Sequence, residues 1–410
     1  MSQQHAVRGA VVVHDHFSMP GGGERTALAL RAALDADLWT GFVCGGPARR
    51  LLRADMARLR TLSICLPVPL VRTLLLSVLM TRVPLHRYDL AVLSGNSAPC
   101  ALLGSRPGCS LVYCHAPPRY LFDQRELLRR RIPGALRSLA DRQLDHFECR
   151  YREALARCDM IVANSLTVRR RVLRYLGYDA AVVHPPVDTT AFRWLDHGDY
   201  FVSTARVAPL KRVEAIVRAF LHLPHRRLVV LSGGSDVRRL RRLAAGANNI
   251  RFTGWVPDPV VRDLIGRCRA TVYVPVDEDF GLSPVESMAA GKPVIGVREG
   301  GLCETVVHEK TGLLLDPDFD LDTLCNAVET MTDERAREMR QACEERARQF
   351  SPQRFSQRLN EILAVHALPR AEARSRVAIQ APPRRLARPA FAPAARASMH
   401  PDDRDSQRAR

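Results

Sequence analysis

Short apolar runs recur along this chain, and each gives way to loop residues and then to a helical period. The N-terminal half opens on VRGAVVV, residues 7–13, followed by the loop HDHFSMPGGG and a helical pattern from Glu24 to Leu34. Further apolar runs fall at 41–44, 62–66, 89–93 and 110–114, and MIVANS (160–165) precedes a helical pattern from Leu166 to Leu176. Alternating strand and helix signals predict parallel strands joined by crossover helices. A second alternation follows, with YFVST, RRLVVLSGG, NIRFTGW, RATVYVP and KPVIGV as strands. Between the two lies HPPVDTTAFRW (184–194), where two prolines stiffen the chain and no hydrophobic period crosses. The predicted class is α/β, with two doubly wound, Rossmann-like domains facing across a cleft where the strand C-termini converge. The boundaries read as 1–185 for an N-terminal domain and 186–350 for a C-terminal domain. Residues 351–367 form a helix returning to the first domain, and 368–410 a disordered tail. From 121 to 159 the pattern is helical, broken at Pro133-Gly134, and carries the basic cluster RELLRRR; 319–365 is helical again. The tail holds ten arginines, four acids and much Ala and Pro, with no apolar period.

Charge narrows the partners. The 410 residues carry a net charge of +18, so anionic partners are expected: a phosphorylated small molecule, an acidic membrane surface or nucleic acid. The three lysines are Lys211, Lys292 and Lys310, and the other basic residues are arginine. The eleven cysteines include no C-x-x-C pair, which argues for reduced thiols in a cytoplasm and against a zinc module. Neither a signal peptide nor a membrane span is expected, since the most apolar stretch, 62–83, is interrupted by Pro67, Pro69 and Arg72.

The chemistry gathers in loops that leave strand C-termini. In DEDFGLSPVESMAAGKPVI (277–295), Glu278 and Glu286 flank one turn with seven residues between them. Ser283, Pro284 and Glu286 spell a capping box, so Glu286 reads either as a helix cap or as a ligand for hydroxyl groups. Glu278 is either a solvated loop acid or a ligand. The intervening backbone amides at a helix N-terminus favour an anion. Asp277 and Asp279 imitate an Asp-x-Asp metal motif, but STARVAPLKRVE (203–214) supplies its own cations, Arg206 and Lys211, for a diphosphate. A unit charge pair at about 4 Å is worth roughly 4 kcal/mol at an effective dielectric of 20, against about 0.3–1 kcal/mol from a helix terminus. The loop MPGGGER (19–25) lacks the G-x-G-x-x-G fingerprint, yet its glycines permit close backbone approach by a ligand. VYCHAPPRYLFD (112–123) places His115 just past a strand, and REGGLCETV (298–306) adds a Gly-Gly turn and Glu304.

Taken in order, these motifs resemble those of the group-1, family-4 retaining glycosyltransferases of the GT-B fold. EDFGLSPVE matches the Glu-x7-Glu signature, AAGKPVI continues it, and ARVAPLKR, FTGWV and GGLCETV follow the same order. PGGGE and CHAPPRYLFD are similar to the mannosyltransferase-like branch of O-antigen and exopolysaccharide biosynthesis. The resemblance spans residues 7–365 and implies that 1–185 binds the acceptor and 186–350 the nucleotide sugar. It implies that Arg206 and Lys211 bind the donor diphosphate and that Glu278 contacts the donor sugar. The backbone of Phe280, Gly281 and Leu282 would meet phosphate and sugar, Glu286 the ribose, and Gly22 the phosphate and acceptor. His115 would lie beside the reacting sugar. It implies GDP-mannose as co-substrate, a glycan or lipid-linked acceptor, no metal and no cofactor. It also implies peripheral contact with an anionic membrane, at the inner face of the plasma membrane, through the stretch 70–80 and Arg129, Arg130 and Arg131. The chain departs from the pattern at Gly23, where relatives carry larger residues. Two other readings compete: a nucleotide-sugar epimerase of similar architecture, and a non-catalytic basic protein binding nucleic acid. The ordered Arg/Lys and Glu-x7-Glu set opposes the first. Dispersed arginine with 6% aromatic residues opposes the second, so no nucleic-acid partner is expected.

Overall fold

A computed structural model describes residues 9–18, 21–62 and 69–373, with 69–70 and 366–373 described as backbone. One compact unit runs to Leu363, and the second begins at Ala364 and is described as helix to Ala373. Met19 and Pro20 of the first glycine loop, most of the run at 62–66 and residues 374–410 of the predicted tail lie outside the described residues.

The first unit contains two parallel sheets. Strands β1 (Ala10–His14), β2 (Asp37–Thr40), β3 (Leu59–Thr61), β4 (Leu90–Ser94), β5 (Cys109–Cys114), β6 (Met160–Ala163) and β7 (Ala181–Val182) form one, in the order 3-2-1-4-5-6-7. Strands β8 (Tyr200–Ser203), β9 (Arg227–Leu231), β10 (Ile250–Gly254), β11 (Ala270–Tyr273), β12 (Val294–Val297) and β13 (Gly312–Leu315) form the other, in the order 10-9-8-11-12-13. The order reverses beside β1 in the first sheet and beside β8 in the second. Such switch points open a crevice at the strand C-termini. The central strands are mostly apolar because helices cover both faces. Val11, Val12 and Val13 are fully buried, as are Val294, Ile295 and Val297.

Several elements differ from the sequence expectation. The run 41–44 is the loop after β2: Asp37–Thr40 pairs with β1, and Phe42 is buried from that loop. The strand β13 lies in TGLLLDP, a run too short to separate from a turn by pattern. The last helix runs Pro352–Ala373, so the backbone stays helical past the expected start of the tail at 368. Its Phe355, Leu359 and Ile362 join Val12, Leu38, Val92 and Leu111 in a core cluster of the first sheet. Each such side chain removed from water contributes about 1.5–3 kcal/mol, which fastens the helix there.

Candidate active site

The loop that carries Glu278 is built by glycine. It leaves β11, turns through left-handed Asp277 (φ 46°) and Gly281 (φ 91°), and enters the helix Leu282–Ala289. A Cβ on Gly300 or Gly301 would collide with the backbone of Glu278 or Phe280, so the Gly-Gly turn after β12 packs main chain against main chain. The Gly301 N–H donates to the Glu278 carbonyl at 2.8 Å and fixes that loop.

This brackets Glu278 closely. Its Oε2 accepts from the Tyr273 hydroxyl at 3.0 Å and from Lys211 Nζ, which reaches it from the turn Pro209–Lys211 after β8. Burial pushes the Tyr273 phenol well above its ordinary pKa, and the Glu278 charge adds to the rise, so the hydroxyl is a permanent donor. Lys211 and Glu278, read from the sequence as separate grips on a ligand, are thus an ion pair. Arg206 is exposed, with no ion-pair partner among the described residues.

Glu286 does not cap its helix. The helix begins at Leu282 with Gly281 in the cap position and no side-chain cap, two residues earlier than the Ser283 capping box requires. The left-handed glycine sets the entry, and Ser283 already belongs to the first turn. The Glu286 carboxylate has no hydrogen-bond partner among the described residues, and burial raises its pKa against the pull of Arg25 and Arg262. A half-buried carboxylate without donors among the described residues is suited to accept from ligand hydroxyls.

Asp277 and Asp279 are engaged by arginines of the first sheet's loops and helices. Arg171, in the helix Leu166–Leu176, bonds Asp277 at 2.6 Å and also pairs with Asp279. Arg119 reaches the Asp277 carboxylate at 2.9 Å and its carbonyl at 3.1 Å. Ser165 Oγ donates to the Asp279 carbonyl at 2.6 Å. Glu304 then accepts from the N–H groups of Leu166 and Thr167 at 2.6 and 2.8 Å, closing the N-terminus of that helix from the second sheet's side. Burial would raise the Glu304 pKa, but His184 and these N–H groups hold it below the ordinary value. Among the described residues no cluster of three His, Cys, Asp or Glu could hold a metal ion.

On the opposite side, Gly22 opens the helix Gly22–Ala33, and a Cβ there would come within 2.6 Å of the Leu282 side chain. The glycine therefore permits the two loops to meet. A Cβ on Gly23 would come no nearer than 4.0 Å to His14, so the departure at that position is sterically neutral. His115 lies beyond β5 and touches Ser94 Oγ at 2.8 Å; burial pulls its pKa down to about 4, so the ring is neutral at pH 7. Asp15, which follows β1, accepts from the N–H groups of Asn96, Ser97 and Ala98 at 2.7, 2.8 and 2.7 Å and shapes the loop after β4.

The site thus gathers Gly22, Leu282, Gly281 and Phe280 on one seam, with Lys211 and Glu278 together and Glu286 one helical turn on. The sequence reading missed His14, Asp15, Ser94, Arg119 and Arg171. A signal existed for the first three, which end or follow strands at the switch point. None existed for the two arginines in so arginine-rich a chain.

Residues 20–191 match the family model described as Glycosyltransferase Family 4, and residues 191–350 the one described as Glycosyl transferases group 1. The chain is 26% identical over 349 residues to the alpha-1,3/1,6-mannosyltransferase ALG2 of Dictyostelium discoideum, covering 72% of this chain and 79% of that one. It is 24% identical to the ALG2 of Rhizomucor pusillus, covering 58% of this chain and 62% of the relative. It is 32% identical to the D-inositol 3-phosphate glycosyltransferase of Acidothermus cellulolyticus over 40% of this chain and 44% of that enzyme. Among solved structures, Anabaena HepE in complex with UDP and glucose superposes with a TM-score of 0.67 at 17% identity, over 87% of this chain and 99% of that one. The sucrose-phosphate synthase of Thermosynechococcus elongatus gives 0.67 at 18% identity, over 87% and 98%.

Proposed function

The chain belongs to the group-1, family-4 glycosyltransferases of the GT-B fold, and from that premise we propose that it moves mannose from GDP-mannose to a glycan or lipid-linked acceptor, with retention and without a metal. One observation carries the reading to these residues. A single turn after β11 holds Glu278 against Lys211 at one end and leads to the half-buried Glu286, which has no hydrogen-bond partner among the described residues, while Arg206 is exposed in the loop after β8. Those groups match the parts of a nucleotide sugar: sugar hydroxyls for Glu278, diphosphate for Arg206 and Lys211, ribose for Glu286. The mannosyltransferase relatives support mannose as the sugar. The UDP and glucose bound by HepE make UDP-glucose the donor to test against it.

In the proposed reaction the bond from the anomeric carbon to the diphosphate oxygen breaks. The acceptor oxygen bonds that carbon on the same face, and its proton passes to the leaving phosphate oxygen. Charge grows on the diphosphate as the bond breaks, so Arg206 and Lys211 stabilise the transition state more than the ground state. His115, neutral at pH 7, contributes hydrogen bonding and not charge. Asp277 and Asp279 already neutralise Arg119 and Arg171, which supports a metal-free site.

The proposed acceptor surface is membrane-facing and cytoplasmic, in cell-surface polysaccharide synthesis. Val71, Leu75 and Val78 are exposed on the helix Pro69–Leu79, as are Leu127, Leu136 and Leu139 near Arg129, Arg130 and Arg131. Arg129 and Arg130 pair with Asp141 and Glu126, so apolar insertion outweighs lipid charge in this docking. No described helix is long and apolar enough to cross a membrane. Sedimentation with vesicles, lost when Val71 and Val78 become Ser, checks it; equal recovery of both proteins with vesicles rejects it.

The function is tested by incubation with GDP-mannose, UDP-glucose and other nucleotide sugars, in EDTA and in Mg²⁺, scoring hydrolysis and transfer. Release of GDP with mannose of retained configuration in EDTA is the expected result. Conversion of the donor sugar to its epimer without acceptor would make the protein an epimerase. Dependence on Mg²⁺ would return Asp277 and Asp279 to consideration as ligands.

A further inference from the structure

Three adjacent strands of the first sheet end on side chains that touch. β1 ends at His14 and β4 at Ser94, which are Cα partners in the register, and β5 delivers His115 one residue beyond Cys114. Ser94 Oγ lies 3.1 Å from His14 Nδ1 and 2.8 Å from His115 Nε2. The two imidazoles stand nearly perpendicular, at 86°, with centroids 6.4 Å apart. Ser94 and His14 are buried, and the trio sits where the strand order reverses.

A hydroxyl has one proton to give. Burial lowers the pKa of His14 to about 3, with His115 and His16 adding to the effect, and that of His115 to about 4. Each ring is therefore neutral and carries one N–H and one bare nitrogen. If both rings turned bare nitrogens to Ser94, one buried acceptor would go unmet. If both turned N–H groups to it, the serine proton would have no acceptor, since its hydroxyl has no other hydrogen-bond partner among the described residues. Either failure costs about 1–3 kcal/mol. The satisfied arrangement is a directed chain in which one ring donates to Ser94 and Ser94 donates to the other.

His14 uses Nδ1 and His115 uses Nε2. A chain running from His14 to His115 puts the proton of both rings on Nδ1. A chain running the other way puts both on Nε2. The geometry points to Ser94 as a positioning residue that locks His14 and His115 into the same tautomer, and so fixes whether His115 offers a donor or an acceptor to the transferring sugar. This rests on the reading of His115 as the residue beside that sugar. His115 Nδ1 makes no hydrogen bond to a described residue, which leaves it for the ligand. His14 is thereby a functional residue that need never touch substrate.

The test is long-range ¹H–¹⁵N NMR of the imidazoles in the full chain at pH 7, assigned with His14→Asn and His115→Asn. Both rings are expected in one shared tautomer. In Ser94→Ala the two should fall into independent mixtures, and kcat for transfer should drop about tenfold or more while KM for the nucleotide sugar stays within roughly threefold. Ser94→Thr, which keeps the hydroxyl, should restore the shared tautomer and the rate. Opposite tautomers in the unaltered protein overturn the proposal, as does an undiminished kcat in Ser94→Ala. Recovery of rate without the shared tautomer in Ser94→Thr overturns it too. Should the unaltered protein transfer nothing from any nucleotide sugar, the functional reading falls, and the NMR result alone still decides the relay.

Discussion

Glu286 holds a carboxylate in a half-buried place with no donor among the described residues, and that makes its two roles separable. With no capping box to lose, Glu286→Gln should leave the melting temperature unchanged or raise it, because the neutral amide avoids the burial that lifts the acid's pKa. If the carboxylate takes ribose hydroxyls, donor affinity should fall about tenfold or more, since hydrogen bonds to a charged acceptor are worth about 1.5–3 kcal/mol against about 1 for a neutral one. A 2′-deoxyribose donor should be penalised less by the variant than by the unaltered protein; equal penalties mean no contact with that hydroxyl. Arg206 and Lys211 should separate as well. Arg206→Ala removes a free cation and should weaken GDP binding with no loss of stability. Lys211→Ala also strands the Glu278 carboxylate with Tyr273 as its remaining donor, so it should lower both GDP affinity and the melting temperature. Identical GDP affinity in Arg206→Ala and the unaltered protein would remove the diphosphate assignment. The residue identities of this loop were legible because glycine and acid spacing mark a turn at a strand end. The Lys211–Glu278 pairing was not, because partners sixty-seven positions apart leave no periodic trace.

Between elements, the loop that carries Glu278 is held from the opposite sheet. Arg171 forks onto Asp277 and Asp279 on either side of Glu278, and Glu304 closes the N-terminus of the helix that carries Arg171. The two contacts run in opposite directions across the same seam, so neither loop moves without the other. Arg171→Ala should therefore slow transfer at saturating donor more than it weakens GDP binding. Hydrogen exchange should rise together at the amides of 277–281 and of 166–168, where the interaction lost is worth about 1.5–3 kcal/mol. Arg171→Lys should rescue little, because its single nitrogen cannot reproduce the two separated guanidinium nitrogens that take Asp277 and Asp279 one each. Faster exchange in the donor loop alone would show that the helix is held independently. Strand-helix alternation made both sheets legible in the sequence, since a parallel strand buried on both faces is a continuous apolar run. What bridges them was not, because Asp277 and Asp279 look like metal ligands until the third dimension supplies their arginines.

Acid should act unequally on the two halves of the molecule. His14, His16 and His115 all lie in the first sheet's domain, with pKa values lowered by burial to about 3, 4 and 4, His14 helped by its neighbouring histidines and His16 by Arg72. A histidine depressed in the folded state binds its proton first in the unfolded chain, whose pKa is about 6.5. Each thus contributes stability that is present above pH 6.5 and is lost as pH falls towards 4. Asp15 works the other way. Burial raises it to about 6 against its three N–H donors, so acidification below 6 relieves a buried charge and returns some stability. Three histidines against one aspartate leave roughly two more protons bound by the unfolded domain between pH 4.5 and 5.5, a slope of up to about 2.7 kcal/mol per pH unit. Around the second sheet Asp279, raised to about 6 by burial, gains on acidification, Lys292, lowered to about 8 by burial, is charged throughout that range, and among the described residues His197 is the one histidine there whose pKa burial lowers, against three around the first sheet. The first domain should accordingly unfold first in acid. Trp39 lies in β2, whereas Trp194 and Trp255 belong to the second half, so the Trp194→Phe, Trp255→Phe protein reports on the first sheet and Trp39→Phe on the other. Urea midpoints for the two signals should diverge as pH is lowered from 7 to 4.5. His16 stacks on Phe42 at 4.9 Å, so His16→Phe keeps the packing and removes one titration; it should roughly halve the pH slope of the Trp39 signal. Midpoints that stay together at every pH, or a slope unmoved by His16→Phe, would place the acid sensitivity elsewhere.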